Sequence, residues 1–226
     1  MTMSDKIQHH LDDDILLAYS AGALPEAFSL MVAAHVSLCD QCRATLESFD
    51  AVGGSVLDCD VGAVSVSEDC LAATLAKIGG AAPEPRPEPC SVRGGRLKAH
   101  VLPSPIRGYV GGDLDAVRWR PVGMGVKQAI LSTEKGPASA RLLFIPAGAA
   151  VPDHGHHGLE MTMVLKGAFS DGDERFARGD VEIAGEDDNH MPVADISEDC
   201  ICLAVTDARL KFNSWLPKLA QPFLRI

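Results

Sequence analysis

Positive charge is scarce at the start of this 226-residue chain: residues 1–80 carry 3 Lys and Arg against 12 Asp and Glu. That balance argues against direct nucleic-acid binding, which needs Lys and Arg facing phosphates. It suits a partner with a basic surface, including a protein that itself binds nucleic acid or polymerase. Residues 81–110 reverse the balance with 5 against 2, residues 111–226 hold 12 against 17, and the net charge is −11. Long apolar runs are also missing. The longest, near residues 28–38, is too short and interrupted to span a membrane, so no membrane is expected as a partner. The N-terminus lacks the apolar core of a signal peptide. Seven cysteines, an odd number without an export signal, argue against a disulfide framework and predict a reducing, cytoplasmic setting. Thiols there serve as metal ligands, redox-sensitive groups or small buried residues.

What is present falls into three parts. Asp12-Asp13-Asp14 before Ile15-Leu16-Leu17 predicts a helix start, because free N–H groups favour negative charge. Gly22 and Leu24-Pro25 end that helix. A second helix opens at Pro25-Glu26 and is expected to run through His35 to about Phe49, with Gly53-Gly54 ending it. Ser67-Glu68-Asp69 then caps a shorter helix carrying Leu71, Leu75 and Ile78, stopped by Gly79-Gly80. Residues 81–89 have proline at every second position and predict an extended, semi-rigid linker; Cys90 after it is expected to be exposed. Beyond Tyr109 come short apolar runs at 126–131, 140–145, 159–165, 181–184 and 200–205, separated by Gly, Pro, Asp and Asn. Many short strands without helices predict a sandwich or closed barrel. The expected architecture is multidomain α + β: a small helical domain at 1–80, a Pro-rich linker at 81–108 and a β-barrel or jelly roll at 109–226.

Two constellations carry chemistry. The first is His35-x3-Cys39-x2-Cys42. On one continuous helix these three side chains would leave within an arc of roughly 60°, three quarters of a tetrahedral zinc site. The fourth ligand is expected from the segment before the first helix. His10 is the better placed and His9 the fallback. The bland alternative is a partly buried histidine and two core cysteines.

The second constellation is Gly148-x5-His154-x-His156-x3-Glu160-x6-Gly167, followed by Gly179-Asp180, a strand, and then His190 and Pro192. His154 and His156 alternate by two and leave one face of a strand. Glu160 follows after Gly158, and Gly167 lets a hairpin close. His190 supplies a third imidazole. Three His and one Glu suit zinc, iron, manganese or nickel alike. His157 faces the other way, and no positioned Arg or Tyr accompanies the ligands. Cys200-Ile201-Cys202 places two thiols on one side of a strand, inward if Ile201 faces out, most simply as small core residues.

These patterns carry resemblances. The second follows the first cupin motif position for position and the second cupin motif loosely, without its usual P-x-G. A histidine followed by H-x3-C-x2-C in a short acidic helical domain resembles the zinc-binding anti-sigma domain. The two together resemble the ChrR-type cupin anti-sigma factors. Ala18-Tyr19-Ser20-Ala21-Gly22, Asp50-Ala51-Val52-Gly53-Gly54, Asp199-Cys200-Ile201-Cys202-Leu203 and the C-terminal run 212–219 extend the likeness over essentially the whole chain. The resemblance implies a regulator rather than an enzyme. Its N-terminal domain would bind an extracytoplasmic-function sigma factor with Zn2+ held by His10, His35, Cys39 and Cys42. Its cupin would hold Zn2+ (or Fe, Mn or Ni) through His154, His156, Glu160 and His190, and would be needed for release on singlet oxygen or organic peroxides. The alternative from the same ligands is a cupin metalloenzyme, dioxygenase-like, with an accessory helical domain.

Overall fold

The computed structural model describes residues 6–59, 62, 65–80, 100–186, 188–208 and 211–212. The Pro-rich run 81–89, Cys90 and the C-terminal run beyond Phe212 lie outside the described residues. The helices are α1 (Asp13–Ser20), α2 (Glu26–Val36), α3 (Asp40–Cys59), α4 (Cys70–Gly80) and α5 (Ser104–Val110). The strands are β1 (Arg120–Gly123), β2 (Val126–Ile130), β3 (Ser139–Ile145), β4 (His154–Gly155), β5 (Glu160–Lys166) and β6 (Ala168–Asp171), followed by β7 (Glu174–Ala177), β8 (Val181–Ala184), β9 (Asn189–His190), β10 (Val193–Ala194), β11 (Cys200–Thr206) and β12 (Lys211–Phe212). Helices followed by a β domain are the expected order, and the five apolar runs all become strands.

The second helix departs from expectation. It breaks at Ser37–Cys39, so His35 lies in the last turn of α2 while Cys42 lies on α3. The break is hydrogen-bonded. The His35 carbonyl accepts from both Leu38 N–H and Cys39 N–H at 2.8 Å, and Ser37 Oγ donates to Ala34 O at 2.7 Å. Asp40 then opens α3 with negative charge in its first turn. Gly53-Gly54 does not end α3, which continues to Cys59. Glycine inside an exposed helix costs only about 1 kcal/mol relative to alanine, which neighbouring turns absorb.

The strands form a six-stranded antiparallel sheet in the order β1-β2-β3-β11-β5-β8 and two three-stranded sheets, β10-β6-β7 and β12-β4-β9. The large sheet is apolar on both faces. Leu142, Met161, Met163, Leu165, Ile201, Leu203 and Val205 join one core with Phe28, Met31 and Val32 of α2 and Ile106 of α5. Val126, Ile145, Val164, Cys200 and Cys202 join a second core with Phe169 and Phe176 of the β6–β7 hairpin. The central strand β11 is therefore buried at every residue, as a strand covered on both sides must be. Gly167 closes the β5–β6 hairpin at φ 73°. A Cβ there would lie 2.6 Å from Asp199 O, so the turn admits no side chain.

By its contacts the chain falls into two compact units, residues 1–51 with 100–226 and residues 52–99. Helix α3 begins in the first and ends in the second. In the second unit, Val52, Val56, Leu57, Leu71, Leu75 and Ile78 are exposed. No helix among the described residues is long and apolar enough to cross a membrane.

Candidate metal centres

The segment before α1 and the α2–α3 junction bring His10, His35, Cys39 and Cys42 together, with one donor atom of each within 4.8 Å of the others. His10 Nδ1 lies 3.3 Å from Cys39 Sγ and 3.6 Å from Cys42 Sγ. His9 is turned away and packs its ring on Phe176 at 4.2 Å, so His10 rather than His9 stands beside the two thiols. The helix break serves this geometry. Cys39 directly precedes α3, and Cys42 N–H donates to Cys39 Sγ at 3.4 Å.

His35 is completely buried. Its Nδ1 is bonded to Gly179 O at 2.9 Å, so Nδ1 carries the proton. Its buried Nε2 has no hydrogen-bond partner among the described residues. A bare imidazole nitrogen next to two thiols is an orphaned donor set that a cation satisfies. Burial, the main cause, and the neighbouring His10 lower the His35 pKa to about 4, so the ring is neutral and ready to ligate. Burial pushes the Cys42 thiol up to about 11, so a metal must displace a proton there. Four protein donors would fill a tetrahedral coordination shell, as in structural rather than catalytic zinc sites.

The β part assembles the second centre. Strands β4 and β9 pair His154 with His190. His190 Nε2 lies 3.1 Å from both His156 Nε2 and His154 Nε2. The outer nitrogens set the tautomers. His154 Nδ1 donates to Pro152 O at 2.8 Å. His190 Nδ1 faces Glu182 at 3.4 Å and Asp171 at 3.5 Å. The inner Nε2 lone pairs then meet at contact distance, an arrangement that a bound cation turns from repulsive to attractive. His157 is exposed, as expected.

Glu160 lies on the same inner face, but it does not join the three Nε2 atoms. Its carboxylate lies 3.4 Å from His156 Nδ1, on the far side of that ring. Burial opposes its charge, yet the three histidines together hold its pKa below the ordinary value. Burial instead raises the Glu182 pKa. For His190, burial is the largest influence and favours the neutral ring, but Glu182, Glu160 and Asp171 outweigh it and raise its pKa.

Sequence reasoning missed three residues. Glu182 and Asp171 hold His190, and Arg141 is buried on the same sheet with Glu160 as its opposing charge. Arg141 NH1 donates to Gln128 Oε1 at 3.2 Å. The expectation that no arginine accompanies the ligands is thus corrected. The available signal was alternation: Glu182 lies between Val181 and Ile183, both packed in the helix-side core. A charge between two core residues must point into the other face. Cys200 and Cys202 do face one side, with their sulfurs 3.5 Å apart, in the apolar core with Phe169 and Phe176.

A double-faced antiparallel sheet with a three-histidine cluster near its second hairpin layer defines a cupin, and residues 108–209 match the family model described as the ChrR cupin-like domain. The chain is 53% identical over 220 residues to the anti-sigma-E factor ChrR of Cereibacter sphaeroides, covering 97% of this chain and 99% of that one. It therefore belongs to the ChrR family of anti-sigma factors, which are regulators rather than enzymes. The crystal structure of Rhodobacter sphaeroides SigE in complex with the anti-sigma ChrR is similar, with a TM-score of 0.75 and 49% identity over 89% of this chain and 99% of that one. KdgF from Halomonas sp., with a TM-score of 0.38 and 21% identity over 42% of this chain and 91% of that one, is too distant to inform function.

Proposed function

We propose that this protein is a cytoplasmic anti-sigma factor that binds an extracytoplasmic-function sigma factor and keeps it from RNA polymerase. One observation carries the reading. Val52 and Val56 on α3, and Leu71, Leu75 and Ile78 on α4, recur at helical spacing and are all exposed. Apolar stripes of that kind belong against a partner. The near full-length likeness to a chain solved with SigE supports a sigma factor as that partner.

In this reading inhibition lies with residues 1–80 and response with 109–226, joined by 81–108. His10, His35, Cys39 and Cys42 hold Zn2+, which braces the α2–α3 junction against the N-terminal segment. His154, His156 and His190 hold zinc, iron, manganese or nickel, with Glu160 as the accompanying carboxylate. Singlet oxygen or organic peroxides act on that cupin centre and release the sigma factor.

The test is co-expression of the full chain with its cognate sigma factor, followed by co-purification and transcription in vitro. The two proteins should co-purify and transcription should fall. Light with a photosensitiser should restore transcription from the wild-type complex but not from His154→Ala. A zinc-loaded chain that neither binds nor inhibits the sigma factor would sink the reading. Restoration in His154→Ala equal to wild type would remove the cupin from the response.

A further inference from the structure

The two metal centres are joined by a short, fully bonded bridge. The turn between β7 and β8 runs from Ala177 to Val181. Asp180 in this turn is 3% exposed. Its Oδ1 accepts from Gln8 N–H at 2.6 Å and His9 N–H at 3.0 Å. Its Oδ2 accepts from Ala177 N–H at 2.8 Å, which locks the carboxylate within its own turn. Val181 N–H in turn donates to His9 O at 3.2 Å. The residue after His9 is the donor His10. The same turn also reaches the other imidazole, because Gly179 O receives His35 Nδ1.

Gly179 has φ 94°. A Cβ on it would lie 2.5 Å from Ile7 Cδ1. The turn and the N-terminal segment are therefore packed without slack. From Val181 the strand passes to Glu182, which faces His190 Nδ1. One strand start thus touches His35 and the residue before His10 on one side and a histidine of the cupin centre on the other.

We propose that the β7–β8 turn couples the two centres: Asp180 and Gly179 are positioning residues for His10 and His35, and the state of the cupin cluster is transmitted through β8 to the hold on the N-terminal metal. The proposal rests on reading both clusters as metal centres. An imidazole held by a carbonyl partner, as His35 is, and a donor whose preceding backbone is anchored, as His10 is through His9, bind more firmly than free ones. Loss of order around His190 shifts β8, lengthens the bonds at Val181 and Gly179, and lets His10 and His35 rotate.

Cobalt tests this directly, because the thiolate-to-cobalt absorption band reports the Cys39/Cys42 centre and not the three-histidine cluster. The full chain, loaded with cobalt, is challenged with excess EDTA and the decay of the band is followed. Asp180→Ala should lose the band at least threefold faster than wild type. His154→Ala, which leaves the turn untouched, should also lose it at least threefold faster. The double variant should be no faster than Asp180→Ala, because the route is already cut. Asp180→Asn keeps the size and half the acceptor capacity, and should fall between wild type and Asp180→Ala; it carries the same test if the alanine variant does not fold. Equal decay in all variants, or single effects that multiply in the double variant, would overturn the coupling. Absence of a thiolate band in wild type would instead overturn the His/Cys metal reading and this proposal with it.

Discussion

Asp113 shows how one side chain anchors the segment at residues 101–102, within the stretch expected to be linker. Its carboxylate accepts from Val101 N–H at 3.0 Å and Leu102 N–H at 2.9 Å, with His100 Nδ1 3.4 Å away. Burial works against the charge, but the backbone donors and His100 together lower its pKa below the ordinary 3.8. Asp113→Ala leaves these amides without a side-chain acceptor and should cost about 1–2 kcal/mol. The sign with pH follows from the direction of the shift. A depressed carboxylate contributes stability that is present above its unfolded pKa and lost as pH falls through its folded value. Urea denaturation should show the wild type ahead of Asp113→Ala at pH 7, with the gap closing below pH 4. A gap that stays constant down to pH 2.5 would refute this account.

At the scale of elements, the apolar stripes of α3 and α4 make an exposed surface whose loss should spare the fold. Val56→Glu and Leu75→Asp should each weaken sigma-factor binding at least tenfold while moving the thermal midpoint by less than about 2 °C, since exposed substitutions cost little stability. Binding by titration calorimetry and midpoint by circular dichroism check the two halves separately. Unchanged affinity would place the partner elsewhere. The α4 stripe was legible in the sequence as a helix face, as were α1 and the five main strands, because period and punctuation are local properties; the α3 stripe was not, because Gly53-Gly54 reads as the end of that helix although it continues to Cys59. The His10, His35, Cys39 and Cys42 set was also legible, although the reason first offered for it was wrong. The four side chains meet because the helix breaks at Ser37–Cys39, and the break depends on hydrogen bonds to one carbonyl that no spacing rule reveals. The three inner histidines were visible from alternation. Their supports were not, because Asp171 and Glu182 come from strands whose partner is decided by sheet order. The clue that helices cover the sheet lay in Cys200–Thr206, where no polar residue alternates with the apolar ones except at its end.

For the molecule as a whole, metal should count as part of the stability of the unit formed by residues 1–51 and 100–226. Ligands that bind only the folded form add stability in proportion to the logarithm of their free concentration, about 4 kcal/mol at a thousandfold excess over Kd. The thermal midpoint of this unit should therefore rise with buffered free zinc and fall on addition of a chelator. Cys39→Ser should lower the metal content by one per chain and flatten part of that dependence. A midpoint indifferent to zinc across three decades would show that neither centre is coupled to folding.

The hydrogen bond from Gln8 to Asp180 spans 172 residues of sequence. A ribosome adding about 5–20 residues per second needs roughly ten to thirty seconds to travel that far. During that interval His10, His35, Cys39 and Cys42 have emerged, but the turn that steadies two of them has not been made. The N-terminal cluster is thus the first chemistry of this protein to be synthesised, long before the turn that steadies it. A nascent chain passes through a period in which its thiols are most open to capture, by zinc or by an oxidant.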